Sequence, residues 1–183
     1  MSDTTAGTFG NLALSRAVDH PELLATPVHA ALSLIGGADQ IGVVEIDPDV
    51  ADTAAFCDRY GVRPDESANC VVVAARREGA TRYAACVVLA TTRTDVNGAV
   101  RRHLGARKVS FAPMSDATAQ SGMEYGGITP IGLPGGWPLL IDGAVARHPR
   151  VVVGSGLRKS KLVLPGHVIS SLPYAEIIED LGR

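Results

Sequence analysis

Lysine is scarce in this chain. Lys108, Lys159 and Lys161 are the only lysines among seventeen Lys and Arg residues, which makes each of them worth examining. Cysteine is scarce too. Cys57, Cys70 and Cys86 are odd in number and lack C-x-x-C spacing, so they outline neither a disulfide framework nor a zinc site; they read as thiols of a reducing compartment. The longest apolar runs, Cys70–Ala75 and Tyr83–Ala90, fall far short of a membrane span. No basic stretch followed by an apolar one opens the sequence, so no secretory signal is read and a cytoplasmic location is expected. A net charge of −2 excludes a nucleic-acid binder held by bulk charge alone, and leaves room for a local basic face.

Several chemistries lack their signatures. There is no G-x-x-x-x-G-K-[ST] and no G-x-S-x-G, so phosphate-loop and α/β-hydrolase chemistry are not indicated. Gly154-Ser155-Gly156 lacks the third glycine of a dinucleotide fingerprint, because Lys159 occupies its place. His20, His29, His103, His148 and His167 are scattered without ligand spacing, so no metal centre is expected. Asp47, Asp49 and Asp52 could form a hard-metal cluster, but helix capping explains Asp47 and Asp49 more simply.

What remains is a chain of 183 residues, 46% hydrophobic and 20% charged, enough for one substantial core. Leu12–Val18 is apolar at helical spacing and predicts a short helix within an N-terminal extension, residues 1–25, whose first ten residues read as a loose end. A single domain, residues 26–183, follows. Pro27–Leu34 predicts a helix, Ile41–Ile46 a strand, and Asp47-Pro48-Asp49 the start of a helix running to Tyr60 and stopped by Gly61. Asn69–Ala75 and Arg82–Thr91 predict a buried hairpin. A helix capped by Asp95, a strand at Lys108–Phe111 and a short helix from Ser115 to Gly122 come next. Strands at Pro138–Ile141, Arg150–Val153 and Lys161–Leu164 and a helix near His167–Leu172 complete the reading. Paired strands separated by single helices predict an α+β domain with a mixed, strongly curved sheet flanked by helices.

The segment Gly122–Gly136 holds six glycines and two prolines and differs in kind from the rest. Within it, Gly126-Gly127-Ile128-Thr129-Pro130 lets a ligand approach backbone N–H groups closely, and such groups hold anions or a developing oxyanion. The same residues also suit a purely structural loop. Basic residues gather at Arg101–Lys108 and at Arg158, Lys159 and Lys161.

Gly126-Gly127-Ile128-Thr129-Pro130-Ile131-Gly132, Leu140-Ile141-Asp142, Val152-Val153-Gly154-Ser155-Gly156 and Leu162-Val163-Leu164 occur in that order. The ordered set resembles the YbaK/ProRS-associated domain family over roughly Thr26–Leu172. The resemblance implies a compact α+β fold and an aminoacyl-tRNA deacylase of the trans-editing kind. Such proteins hydrolyse the ester between a wrong amino acid and the terminal adenosine of tRNA, without a cofactor. Aminoacyl-tRNA is the implied partner, with neither DNA nor membrane. Gly126–Pro130 matches the family's G-x-x-x-P loop. Gly126, Gly127, Asn69 and Lys161 are the implied catalytic residues; Ile128, Thr129, Pro130, Ser155 and Gly156 are substrate-binding candidates, and Arg158 and Lys159 RNA-binding ones. One departure stands out. The family places a lysine where this strand begins with Asn69, and an asparagine donates hydrogen bonds but carries no charge. Either the cation has moved, with Lys161 as the candidate, or the domain binds a tRNA or aminoacyl compound without cleaving it.

Overall fold

A computed structural model describes residues 7–183. Three short strands open it: β1 (Thr8–Phe9), β2 (Leu12–Ala13) and β3 (Ser15–Arg16). Then come α1 (Thr26–Leu32), β4 (Gly42–Glu45), α2 (Thr53–Tyr60) and the long hairpin β5 (Ala68–Arg77) and β6 (Ala80–Leu89). A π-helical turn, Val96–Val100, runs into α3 (Arg101–His103), followed by β7 (Lys108–Phe111) and α4 (Met114–Ser121). The last third contains β8 (Leu139–Asp142), α5 (Gly143–Ala146), β9 (Val151–Gly154), β10 (Ser160–Leu164), α6 (Gly166–Ser170) and β11 (Ala175–Ile178).

The fold is α+β, with its β-structure divided into two larger sheets rather than one curved sheet. Four strands lie in the order β3-β4-β10-β9, five in the order β11-β8-β6-β5-β7, and β1-β2 forms a small ribbon. The five-stranded sheet is mixed, because β8 runs parallel to both β6 and β11. A parallel bridge between Ser67 and Val152 joins the two sheets where β5 begins. The largest apolar cluster lies between them, with Ile41, Val43, Val87, Ile141, Val153, Leu162 and Leu164 nearly or fully buried.

Local chemistry explains most boundaries. Asp47 accepts from the Asp49 amide, so Pro48–Val50 forms a 3-10 turn, and α2 starts only at Thr53 instead of running on from Asp47. Glu78 and Gly79 both have positive φ, the geometry of a tight hairpin turn. Asp95 accepts from the Gly98 and Ala99 amides and caps the helix it precedes. The predicted helix at Leu12–Val18 is replaced by β2, β3 and a 3-10 turn over Ala17–Asp19. Leu14 is fully buried against Gly42, where a side chain would crowd it, and β3 pairs with Gly42 and Val43. Tertiary packing overrides the helical spacing. Of the expected loose end, Met1–Ala6 lie outside the described residues, whereas Thr8 and Phe9 pair with Ala13 and Leu12.

Candidate functional site

A cavity of about 600 Å³ opens where the two sheets meet. Its walls come from the N-terminal end of α2, the start of β5, the β7–α4 connection, the Gly-rich loop, the end of β9 and one side chain of β10. Asn69, Gly126, Ile128 and Lys161 all line it. Thus residues from three distant parts of the sequence converge.

Lys161 reaches the cavity from the four-stranded sheet, paired between Val44 of β4 and Gly154 of β9. Its side chain is only 8% exposed, and the ammonium sits 5.5 Å from the centre of the Phe56 ring. Burial, aided by the nearby Arg158 charge and opposed by Asp52 and Cys57, lowers its pKa to about 8. No carboxylate of the described residues lies within ion-pair distance of it. A buried cation without an ion pair, resting on an aromatic face, is ready for an external anion or a developing negative charge.

Asn69 stands at the start of β5, where its Oδ1 accepts a 2.7 Å hydrogen bond from the Thr53 hydroxyl. That bond directs the carbonyl toward α2 and leaves the amide N–H groups without an acceptor among the described residues. Cys70 also lines the cavity, but burial raises its pKa far above neutrality. Its thiol is therefore a poor nucleophile.

The Gly-rich loop is fastened to the β9–β10 turn by backbone bonds. Gly156 donates to the Gly127 carbonyl at 2.7 Å, and Glu124 donates to the Gly156 carbonyl at 2.9 Å. A side chain on Gly127 would run into the Leu157 backbone, and Gly126 has φ +79°. Both glycines are therefore required by geometry. The Gly127 amide donates to the Glu124 carbonyl at 3.0 Å, so it is already engaged. The amides of Gly126 and Ile128, on either side, have no acceptor among the described residues. These two flank the cavity as candidate donors.

The other candidate residues lie behind or beside the cavity rather than on its wall. Ser155 is fully buried; its hydroxyl bonds to Ser160 Oγ at 2.7 Å and receives the Leu157 amide at 3.2 Å. Thr129, Pro130 and Gly156 are buried in the same loop–turn junction. Arg158 stands at the rim, 3.4 Å from Asp52 and 5.9 Å from the centre of the Tyr125 ring. Lys159 is exposed and outside the lining. Sequence reasoning missed Thr53, Phe111, Met114 and Tyr125, all of which line the cavity. Only Tyr125 carried a signal, as an aromatic directly before the glycine pair.

Comparisons with known proteins fit this geometry. The aminoacyl-tRNA editing domain family matches residues 47–170. No curated protein matches the sequence. Among solved structures, a candidate trans-editing enzyme for prolyl tRNA synthetase has a TM-score of 0.72 at 19% identity, over 85% of this chain and 94% of that one. A structure from work on epitope grafting onto scaffold proteins has the same score and identity, over 85% and 95%. A hypothetical protein follows at 0.68 and 19%, over 77% and 90%. At such identities the structural likeness is one of fold. The family match covers all of the cavity-lining residues and more than half of the chain, and the chain belongs to the aminoacyl-tRNA editing domain family.

Proposed function

We propose that this chain removes wrongly attached amino acids from tRNA by ester hydrolysis, with Lys161 supplying the cation that the family resemblance leads one to expect at Asn69. The observation that carries the reading is the convergence of Asn69, the Gly126–Ile128 backbone and the Lys161 ammonium on one cavity. In the reaction a water attacks the aminoacyl carbonyl, and the bond from that carbon to the ribose oxygen breaks. The ribose oxygen takes a proton, leaving free amino acid and uncharged tRNA. Negative charge develops on the carbonyl oxygen in the transition state. The Gly126 and Ile128 amides suit that oxygen, and one such donor contributes about 3 kcal/mol of barrier lowering. Lys161 adds a positive charge in a low-dielectric setting, and Asn69 fixes the terminal adenosine through its free amide. The Arg158 guanidinium at the rim suits the adjoining phosphate.

Hydrolysis of a panel of mischarged tRNAs tests this reading. Release of amino acid above the uncatalysed rate for at least one pair supports it. Tight binding of the same tRNAs without release would instead favour a binding module that has lost catalysis along with the lysine at position 69.

A further inference from the structure

The five-stranded sheet ends on one side at β7, an edge strand of four residues paired only with β5 among the described residues. Its two ends differ in chemistry. Phe111 lies at the cavity mouth with 60% of its surface exposed. Lys108, at the other end, is the register partner of Arg76, and the Arg107 amide donates to the Arg76 carbonyl. Strand pairing thereby unites the basic pairs Arg76-Arg77 and Arg107-Lys108, which are thirty residues apart in sequence. All four are exposed and line one shallow depression, with Glu78 as its only acid. Glu78 pairs with Arg77, and none of the described carboxylates pairs with Arg76, Arg107 or Lys108. Elsewhere Arg16, Arg63, Arg147, Arg158 and Arg183 each face an acid, while Arg59, Arg82, Arg93, Arg101, Arg102, Arg150, Lys159 and Lys161 have no ion pair among the described residues. What distinguishes the β7 end is that three unpaired cations share one depression. On a chain of net charge −2, this concentration of unpaired cations is local.

We propose that β7 is the track for the RNA strand leading into the cavity, with Phe111 stacking a base beside the terminal adenosine and Arg76, Arg107 and Lys108 holding phosphates upstream. The proposal rests on the deacylase reading for the position of the adenosine. Three residue steps separate Phe111 from Lys108, about 10 Å of strand. That is the length of roughly three stacked nucleotides at about 3.4 Å each. Val72, Ala74 and Arg76 share one face of β5 with Ser110 and Lys108 of β7, so Arg76 and Lys108 follow a cavity residue on that surface. Phe111, paired with Val73, and Arg107 project to the other face and flank the exposed edge. An exposed aromatic at one end of an edge strand and cations at the other supply the stacking and phosphate contacts that bind single-stranded nucleic acid.

The test uses the full chain and a fluorescent RNA hairpin with a single-stranded CCA end, titrated at several salt concentrations. Arg107→Glu with Lys108→Glu should weaken binding at least tenfold, and the neutral pair Arg107→Gln with Lys108→Gln should reduce the salt slope by about two. Phe111→Ala should weaken binding about tenfold. Arg147→Glu, near the opposite sheet edge, should leave affinity unchanged. Unchanged affinity in the β7 variants, equal losses in Arg147→Glu, absent binding by the unaltered chain, or equally effective competition by poly-glutamate would each overturn the proposal. Binding lost selectively in the β7 variants supports it even where no mischarged tRNA is hydrolysed, so the two readings fail separately.

Discussion

Lys161 carries the highest electrostatic cost among the residues of the cavity. Its pKa of about 8, against 10.5 for an ordinary lysine, means the folded state binds its proton less tightly than the unfolded chain does. At pH 7 the side chain is about nine-tenths charged. If its charge promotes hydrolysis, the enzyme-catalysed rate, corrected for spontaneous ester hydrolysis, should fall as pH rises through about 8. Lys161→Arg, if active, should move that fall to higher pH, because guanidinium stays charged. A rate that is flat through this range in the unaltered protein would separate the reaction from Lys161. Gly126 is constrained differently. Gly126→Ala places a Cβ at φ +79° and against the Arg158 guanidinium. It should lose about 1–2 kcal/mol of stability from backbone strain, together with most activity, measured by denaturant melts and deacylation assays.

At the scale of elements, the β9–β10 turn supports the Gly-rich loop without lining the cavity. Ser155→Ala would remove one of the two partners of the Ser160 hydroxyl, which also donates to the Leu23 carbonyl, and the acceptor of the Leu157 amide. A loss of about 1–3 kcal/mol in stability should follow, measured by chemical denaturation, with activity per folded molecule largely retained. A loss of activity without loss of stability would instead put Ser155 into the chemistry. The hairpin, the strand at Lys108–Phe111 and the Gly-rich loop were legible from sequence because apolar alternation and glycine punctuation are local signals. The segment Leu12–Val18 was not, since Gly42 makes room for Leu14 only once β3 and β4 have met. The cavity was half legible. Its loop declares itself through glycine and proline, but the approach of Lys161 to Asn69 depends on the bridge between Ser67 and Val152, a contact between strands of different sheets.

For the molecule as a whole, burying a cation without a carboxylate partner opposes stability. The unfolded chain binds more protons between about pH 8 and lysine's ordinary 10.5, so stability should rise with pH through that window. A shift of this size corresponds to about 3 kcal/mol at neutral pH. Lys161→Met, which keeps the stem over Phe56 and removes the charge, should therefore raise the melting temperature while lowering activity. A stabilised, inactive variant is the signature of a charge retained for chemistry rather than for folding.

Single-turnover deacylation by position-swapped variants tests the central claim most directly, using a mischarged tRNA that the unaltered chain hydrolyses. Lys161→Ala should slow amino-acid release at least a hundredfold, and combining it with Asn69→Lys should recover at least tenfold of that loss. Full activity in Lys161→Ala, or hydrolysis of no mischarged tRNA by the unaltered chain, would contradict the account.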